Sequence, residues 1–315
     1  MSRRIVVTGA SGLIGRALCN ALANRGDRVV VFSRDMARAR QMLPQMAEYV
    51  TWDAAERGDW FGALDGADAV VHLAGAPIAG KRWTPAYKRE ILESRTRSAR
   101  GLVAAIAAAT QRPSVFVSAS GVDYYGKHGD EPVDERTGPG RGFLPDVCVA
   151  WEAEAQHAAA LGLRVAAIRT GIVLDRHEGA LASLILPFQL FAGGPVLPGT
   201  QWWSWIHLDD LVGLYMLALD DDRADGALNG TAPEPERCRD FCAALGRALS
   251  RPSWAPIPLF AVELLLGEMA GPLLVDKQRA IPRRPLDLGY QFRFPHLGPA
   301  LSATLDAADS PKRSS

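Results

Sequence analysis

Apolar residues in the first half of the chain follow two alternating rhythms. Short β-branched runs almost free of charge recur at 4–8 (RIVVT), 28–32 (RVVVF), 49–52, 69–73 (AVVHL), 114–118 (SVFVS) and 164–169 (RVAAIR). Between them the apolar period lengthens. Ile14, Leu18, Ala21 and Leu22 share one helical face, a helix runs from near Pro85 through 102–109, and an alanine-rich helix spans 147–161. Gly26 is placed to end the first helix in a left-handed cap. Charge-free strands alternating with amphipathic helices predict an α/β fold with a parallel sheet covered on both faces.

The texture changes near Thr170. Pro and Gly crowd residues 191–200 (FAGGPVLPGT), and Trp202, Trp203 and Trp205 cluster just after. Residues 226–232 look like a last core strand and turn, followed by a helix over 239–249, the proline-rich PSWAPIPLF and a further helix. The predicted organisation is a doubly wound domain over 1–170, with 205–232 returning to the sheet. A smaller mixed C-terminal cap comprises 171–204 and 233–303. A flexible tail covers 304–315, polar from Ala307 onward.

The 315 residues suffice for a substantial core. Lys plus Arg and Asp plus Glu are both 35, so there is no broad positive field for nucleic acid or acidic membrane. No run approaches the roughly 18–20 apolar residues of a membrane span, and the N-terminus lacks the apolar core of a signal peptide. Cys19, Cys148, Cys238 and Cys242 form no CxxC pair and have no histidine cluster beside them. They read as small buried thiols in a reducing cytosol, with no metal site.

The segment TGASGLIG, residues 8–15, follows a strand and opens a helix, the context that gives such a glycine pattern meaning. Gly9 permits the tight turn, Gly12 lets a pyrophosphate approach the backbone, and Gly15 lets the helix pack on the sheet. Ser11, Leu13 and Ile14 complete a loop whose N–H groups face the phosphates at the helix N-terminus. This predicts a dinucleotide-binding Rossmann sheet. An NAD site places a carboxylate at the end of the second strand; here stand Ser33 and Arg34. A guanidinium pairs with a 2′-phosphate, so the cofactor expected is NADP(H). A one-residue slip would put the Asp35 carboxylate at that place instead. Asp53, after the third strand, either accepts from the adenine amino group or caps a turn.

TGASGLIG, HLAG (72–75), SASGVDYYG (118–126) and WIHLDD (205–210) resemble the extended short-chain dehydrogenase/reductases, kin of the sugar-nucleotide epimerases. A narrower resemblance is to the atypical "epimerase family protein" branch, through LAGAPIAGKRWTPAYKREILESR, WEAEA, RTGIVL, GGPVLPGTQWWSWIHLDD and QRAIPRRPLDLGYQF. It covers about residues 3–300. The resemblance implies that Leu73, Ala74 and Gly75 line the cofactor, that Glu90 and Arg95 contact NADPH, and that the backbone near Val173 approaches the nicotinamide. Arg95 falls near the asparagine position of active relatives. Ser118 and Ser120 survive at the end of the fifth strand.

The catalytic pattern of active relatives is missing. They carry Tyr-x-x-x-Lys on one helical face, the lysine lowering the tyrosine pKa. The matching residues here are Cys148 and Glu152. Ser120, Tyr125 and Cys148 remain as candidate proton-transfer groups, with Tyr124 and Glu152 beside them; the stronger reading makes Tyr124 and Tyr125 packing residues, Cys148 a core thiol and Glu152 a surface or helix-pairing charge. In the cap, His207, Asp209 and Asp210 are either substrate contacts or the start of a helix cap. Gln201, Trp202 and Trp203 make an aromatic wall that stacks a ring or fills a junction. Arg279 and Arg283 either meet a phosphate or face solvent. The expectation is an NADP(H)-dependent oxidoreductase or epimerase acting on a small molecule in an inter-domain cleft. The alternative is a catalytically silent NADP(H)-binding sensor or regulator. A homodimer is left open.

Overall fold

The β-branched runs become strands of one parallel sheet because each is apolar on both sides and must be covered on both. β1 (Arg4–Thr8), β2 (Arg28–Ser33), β3 (Glu48–Thr51), β4 (Ala69–His72), β5 (Val115–Gly121), β6 (Arg164–Thr170) and β7 (Gly226–Gly230) pair in the order β7-β6-β5-β4-β1-β2-β3, all parallel. This computed structural model describes residues 2–54 and 57–306. The strand order reverses between β1 and β4, and a crevice at the carboxyl ends of the strands opens at such a switch point.

Alternation along each strand sorts the core into two layers. Ile5, Val7, Val29, Val31, Val71, Val117 and Ile168 face one side. There they meet Leu18 and Leu22 of α1 (Leu13–Asn24) and Leu211, Leu214 and Tyr215 of α6 (Leu208–Asp220). Val6, Val30, Phe32, Val70, Phe116 and Val165 face the other. They pack against α3 (Pro85–Ala108) and α4 (Phe143–Gln156) through Leu102, Ile106 and Ala155. A shift of one residue in any strand would exchange the two sets.

Local signals set the helix ends. Thr84 caps α3 by accepting from the Tyr87 N–H, with Pro85 in the first turn. At the end of α1, Gly26 N–H bonds to Ala23 and Asp27 N–H to Leu22 at φ +95° for Gly26, a Schellman termination. α4 starts at Phe143 rather than at 147, because Pro145 sits in the first turn, where an N–H has no helical partner to lose.

The cap contains α5 (Gly179–Gln189), α7 (Cys238–Leu249), α8 (Leu259–Leu266), the short α9 (Arg283–Asp287) and α10 (Leu297–Asp306), with a second core of Phe188, Trp203, Trp205, Phe241 and Leu301. Ile172–Leu174 pairs with Trp205–His207, which links the cap to the sheet half. α10 continues through Thr304–Asp306 with Leu305 buried, so the flexible tail does not begin at 304; its remainder lies outside the described residues. Cys19, Cys148, Cys238 and Cys242 are all buried free thiols.

Candidate functional site

The glycine loop is built for close approach. Gly9 has φ +66°, and a Cβ there would lie 2.8 Å from the backbone of Leu73 and Ala74. A Cβ at Gly15 would lie 2.3 Å from the Gly9 carbonyl oxygen. Gly12 caps α1 without any side-chain acceptor, and the first turn of α1 holds no acidic residue. The N–H groups of that turn are therefore unspent. Arg16 braces the loop from behind, donating to Ser11 O at 2.8 Å and pairing with Glu178 at 2.7 Å, just ahead of α5.

At the end of β2 the question of Asp35 is settled locally. Asp35 caps α2 (Met36–Met42), its carboxylate accepting from Arg38 N–H at 2.9 Å, while Ser33 Oγ bonds to the Asp35 backbone. Arg34 is exposed and has no carboxylate partner among the described residues. Asp53 is exposed one residue after Trp52, whose N–H bonds to Ser33 O and extends the ladder.

The end of β4 carries a buried polar relay that pattern alone does not reveal. Thr8 Oγ1 lies 2.8 Å from His72 Nδ1, and Ser98 Oγ lies 3.0 Å from His72 Nε2. Ser98 donates to Ser94 O at 2.6 Å, which leaves its oxygen to accept from Nε2 and Nδ1 to accept from Thr8. Burial and the nearby Arg95 cation lower the His72 pKa to about 3, so the imidazole is neutral. The ring thus ties β1, where the glycine loop begins, to α3.

Arg95 lies one turn earlier on α3. It is 7% exposed, stacks 5.0 Å over the Trp151 ring and donates to Ile91 O. It has no carboxylate partner among the described residues, and burial lowers its pKa. A Cβ on Gly75 would come 2.9 Å from its Cζ, so the guanidinium sits directly on the chain leaving β4. A buried cation without a counter-charge is costly unless an anion joins it. Glu90, by contrast, is exposed, with its carboxylate 3.8 Å from Lys81.

Around β5, α4 and β6 the charged and hydroxyl side chains join one network, beside the buried Trp151 indole N–H, which has no acceptor among the described residues. Ser118 is buried, its hydroxyl bonded to Ala119 O. Ser120 Oγ donates to Glu152 Oε1 at 2.6 Å. Arg169 holds the same carboxylate through Nε at 2.9 Å and Nη2 at 2.8 Å, and its plane lies 3.3 Å from the Tyr124 ring centre. Arg169 Nη1 donates to the Tyr125 hydroxyl, which donates to Asn229 Oδ1 at 2.7 Å. Burial works against the Arg169 cation, but Glu152 and Tyr125 outweigh it and raise its pKa.

This arrangement corrects two candidates. Tyr125 is fully buried, its pKa is raised by burial, and its hydroxyl is committed to Asn229, so it does not present a phenol to a cleft. Cys148, at the tyrosine position, has its thiol pushed up to about 12 by burial and then by Asp123 and Glu152. It is a poor acid and a poorer thiolate. Glu152 is neither a surface charge nor a helix-pairing one: it is the centre of an ion pair with the next strand. Ser120, the third candidate, gives its hydroxyl proton to Glu152.

The cap closes over this edge. Val173 is half-buried, in register with Ile206. His207, not Asp209, caps α6, its Nδ1 accepting from Asp209 N–H at 3.1 Å. Asp210 is buried and accepts from the N–H groups of Arg293 and Phe294, which anchors the chain before α10. Trp203 is buried against Phe241, whereas the Trp202 ring has the guanidinium groups of Arg237 and Arg279 at 4.0 and 4.7 Å from its centre. Arg283 is exposed and pairs with Asp287. A cavity of about 300 Å³ opens between the halves, lined by Asp123, Lys127, Arg141, Phe143 and Asp276. Ion pairs Lys277–Asp123 and Lys127–Asp276, at 2.7 and 2.9 Å, cross the same seam.

A switch-point crevice, a glycine loop and a cap over the carboxyl edge agree with what comparison finds. Residues 5–229 match the model of the NAD dependent epimerase/dehydratase family. The chain belongs to that family. Residues 257–304 match a domain of unknown function, DUF1731. Among curated relatives, the chloroplastic epimerase family protein SDR39U1 homolog of Arabidopsis thaliana is 42% identical, over 96% of this chain and 86% of its own length. Human epimerase family protein SDR39U1 is 35% identical, over 95% and 98%. A crystal structure of the human protein with NADPH superposes with a TM-score of 0.85 at 35% identity, covering 96% of this chain and 99% of that one. No described helix is long and apolar enough to cross a membrane.

Within this epimerase-type frame the residues separate into two groups. Gly9, Ser11, Gly12, Leu13, Ile14, Gly15, Ser33, Arg34, Leu73, Ala74, Gly75 and Arg95 cluster at the ends of β1, β2 and β4. Ser118, Ser120, Tyr125 and Cys148 lie at the β5 end. His72, Arg169 and Asn229 are the participants that sequence reasoning passed over. HLAG contained a signal for the first: a histidine at the end of an otherwise apolar, doubly covered strand must find polar partners.

Proposed function

We propose that this chain binds NADP(H) across the β1–β4 crevice and presents it to a small molecule held under the cap. The carrying observation is the contrast at the end of β2: Asp35 is spent on capping α2, while Arg34 is exposed and unpaired among the described residues. A site with that polarity suits a 2′-phosphate, and a ribose hydroxyl gains no acceptor there. The uncapped start of α1 suits the pyrophosphate, and Gly9 and Gly12 leave it room. When bound, such a cofactor supplies hydride chemistry. The human relative crystallised with NADPH supports the same assignment.

Two readings of the reaction follow. In the first, the protein is an oxidoreductase or nucleotide-sugar epimerase. Ser120 lies at the reactive edge, Arg95 holds an anionic group beside Gly75, and the cavity between the halves takes the substrate. In the second, it is a catalytically silent NADP(H)-binding sensor. The observation favouring the second is the replacement of the tyrosine–lysine pair by a protonated thiol and a carboxylate committed to Arg169.

Titration calorimetry with NADPH and NADH on nucleotide-stripped protein tests the cofactor. Selective NADPH binding is expected, and equal affinity for both would sink it. Absorbance of the bound nicotinamide against a panel of carbonyl compounds and sugar nucleotides then separates the readings. Turnover lost in Ser120→Ala supports the enzyme. NADPH-selective binding with an unchanging nicotinamide spectrum supports the sensor.

A further inference from the structure

Eight of the eleven large apolar side chains exposed among the described residues lie in two stretches of the cap, 186–197 and 254–265. The two stretches run side by side. Trp254 Nε1 donates to Phe191 O at 3.0 Å, Ile257 N–H to Pro195 O at 2.8 Å, and Leu197 N–H to Ile257 O at 2.9 Å. Val196 and Ile257 form a parallel bridge, and a Cβ on Gly194 would fall 2.1 Å from Ala255 O. One surface therefore joins the end of α5 to the start of α8.

α8 carries the excess. Its sequence, LFAVELLL, is apolar all round except for Glu263, the composition of a helix covered on every side. Val262 is buried and Leu259 and Leu266 pack on the cap core, yet Phe260, Leu264 and Leu265 are 72%, 79% and 72% exposed. With Leu190, Phe191 and Trp254 they extend one apolar face from helix to ribbon.

We infer that this α5–α8 face is the contact between two copies of the chain, packed about a two-fold axis. Three observations select that occupant. The apolar area left open is on the order of 1,000 Å² at ~150–250 Å² per large side chain, above the ~800 Å² each partner contributes to a standard interface. α8 carries no Lys or Arg, whereas helices that lie on a lipid surface have a basic polar face. Glu263 is the sole charge of α8, while Arg82 donates to the Leu264 and Leu265 carbonyls and Arg251 lies 4.8 Å over the Phe191 ring, so the rim carries both signs and, at zero formal net charge, two copies do not repel. An isologous contact sets this face against itself, apolar on apolar.

The test is sedimentation equilibrium of the full chain beside the double variant Phe260→Asp/Leu264→Asp. Both positions are exposed and distant in sequence from the nucleotide residues, so far-UV circular dichroism and NADPH affinity serve as controls on folding. The wild type is expected at the mass of two chains with micromolar or tighter association, and the variant at the mass of one, at least ~100-fold weaker. A second arm, Leu264→Cys, should give a disulfide-linked dimer under mild oxidation. A wild type of single-chain mass at ~100 µM overturns the proposal. So does a dimer that survives the double substitution, or a single chain that instead co-sediments with phosphatidylcholine vesicles.

Discussion

At the carboxyl ends of β1, β2 and β4 the protein leaves donors unspent, whereas at the ends of β5 and β6 it closes its charged and hydroxyl groups on one another. The first region offers the uncapped α1 terminus, Arg34 and Arg95, neither arginine paired with a carboxylate among the described residues. The second closes Ser120, Glu152, Arg169, Tyr125 and Asn229 into one network. Unspent cations await an anion from outside; a closed network stabilises and orients but has little left to give. The largest expected effect tests this difference. Arg169→Ala strands the Glu152 carboxylate and the Tyr125 hydroxyl and should cost about 3 kcal/mol or more in urea unfolding. Arg169→Met with Glu152→Leu should recover most of it. NADPH affinity should stay within about threefold in the double variant if the network is structural. A tenfold loss of affinity at retained stability would make it part of the ligand site.

Arg34→Ala should act in the opposite sense. The residue is exposed, so unfolding should shift by less than about 0.5 kcal/mol. Loss of a charge-assisted bond to phosphate should weaken NADPH by roughly 10- to 100-fold and leave NADH within about twofold. Calorimetry reads both. Equal losses would remove the contrast at the end of β2 on which the cofactor assignment rests.

His72 sits within the first region, between Thr8 of β1 and Ser98 of α3, and makes its stability dependent on pH. Its folded pKa is about 3, against an ordinary value of 6.5. As pH falls below about 6.5 the unfolded chain takes up a proton that the native ring refuses, so this group's stability is complete above that pH and lost downward toward pH 3. Between pH 7 and 5 the loss is roughly 2 kcal/mol. His72→Asn should therefore show a shallower decline over that interval, measured by urea midpoints at each pH. An unchanged slope would mean that the relay from Thr8 to Ser98 does not hold the imidazole neutral.

The nucleotide side was legible in the sequence for a physical reason: its parts are local. Gly9, Gly12 and Gly15 serve one turn, Gly26 one helix end, and Arg34 follows its strand directly. The strands were legible because period and charge-free composition both mark a doubly covered sheet. The other side depends on topology. Glu152 meets Arg169 only because α4 leads into β6 beside β5, and Tyr125 meets Asn229 across 104 residues through the placement of β7. A tyrosine beside a glycine turn reads the same whether its hydroxyl faces solvent or a buried amide. His207 likewise stands as the cap of α6 in place of Asp209, because its Nδ1 accepts the backbone N–H of Asp209 itself, which puts Asp209 inside the first turn. The apolar face of α8 was visible as composition, but its exposure emerged only when the core proved full without it.

The smallest expected effect falls on the residue that stands where a catalytic tyrosine would be. Cys148 is 7% exposed and packs beside Gly121, with its thiol pushed up to about 12. Cys148→Ala should cost only about 1 kcal/mol, the removal of one buried sulfur, and leave NADPH affinity unaltered. Alkylation followed by mass spectrometry is the sharper probe. At pH 8 a thiol with that pKa is in its reactive form about a thousandfold less often than an ordinary cysteine near 8.5, before shielding by burial is counted. Iodoacetamide should therefore leave Cys148 unmodified long after a model thiol has reacted. Labelling at the rate of a free thiol would reverse the comparison: the β5–β6 side would then hold a nucleophile in reserve, and the network around Glu152 and Arg169 would be its setting rather than its replacement.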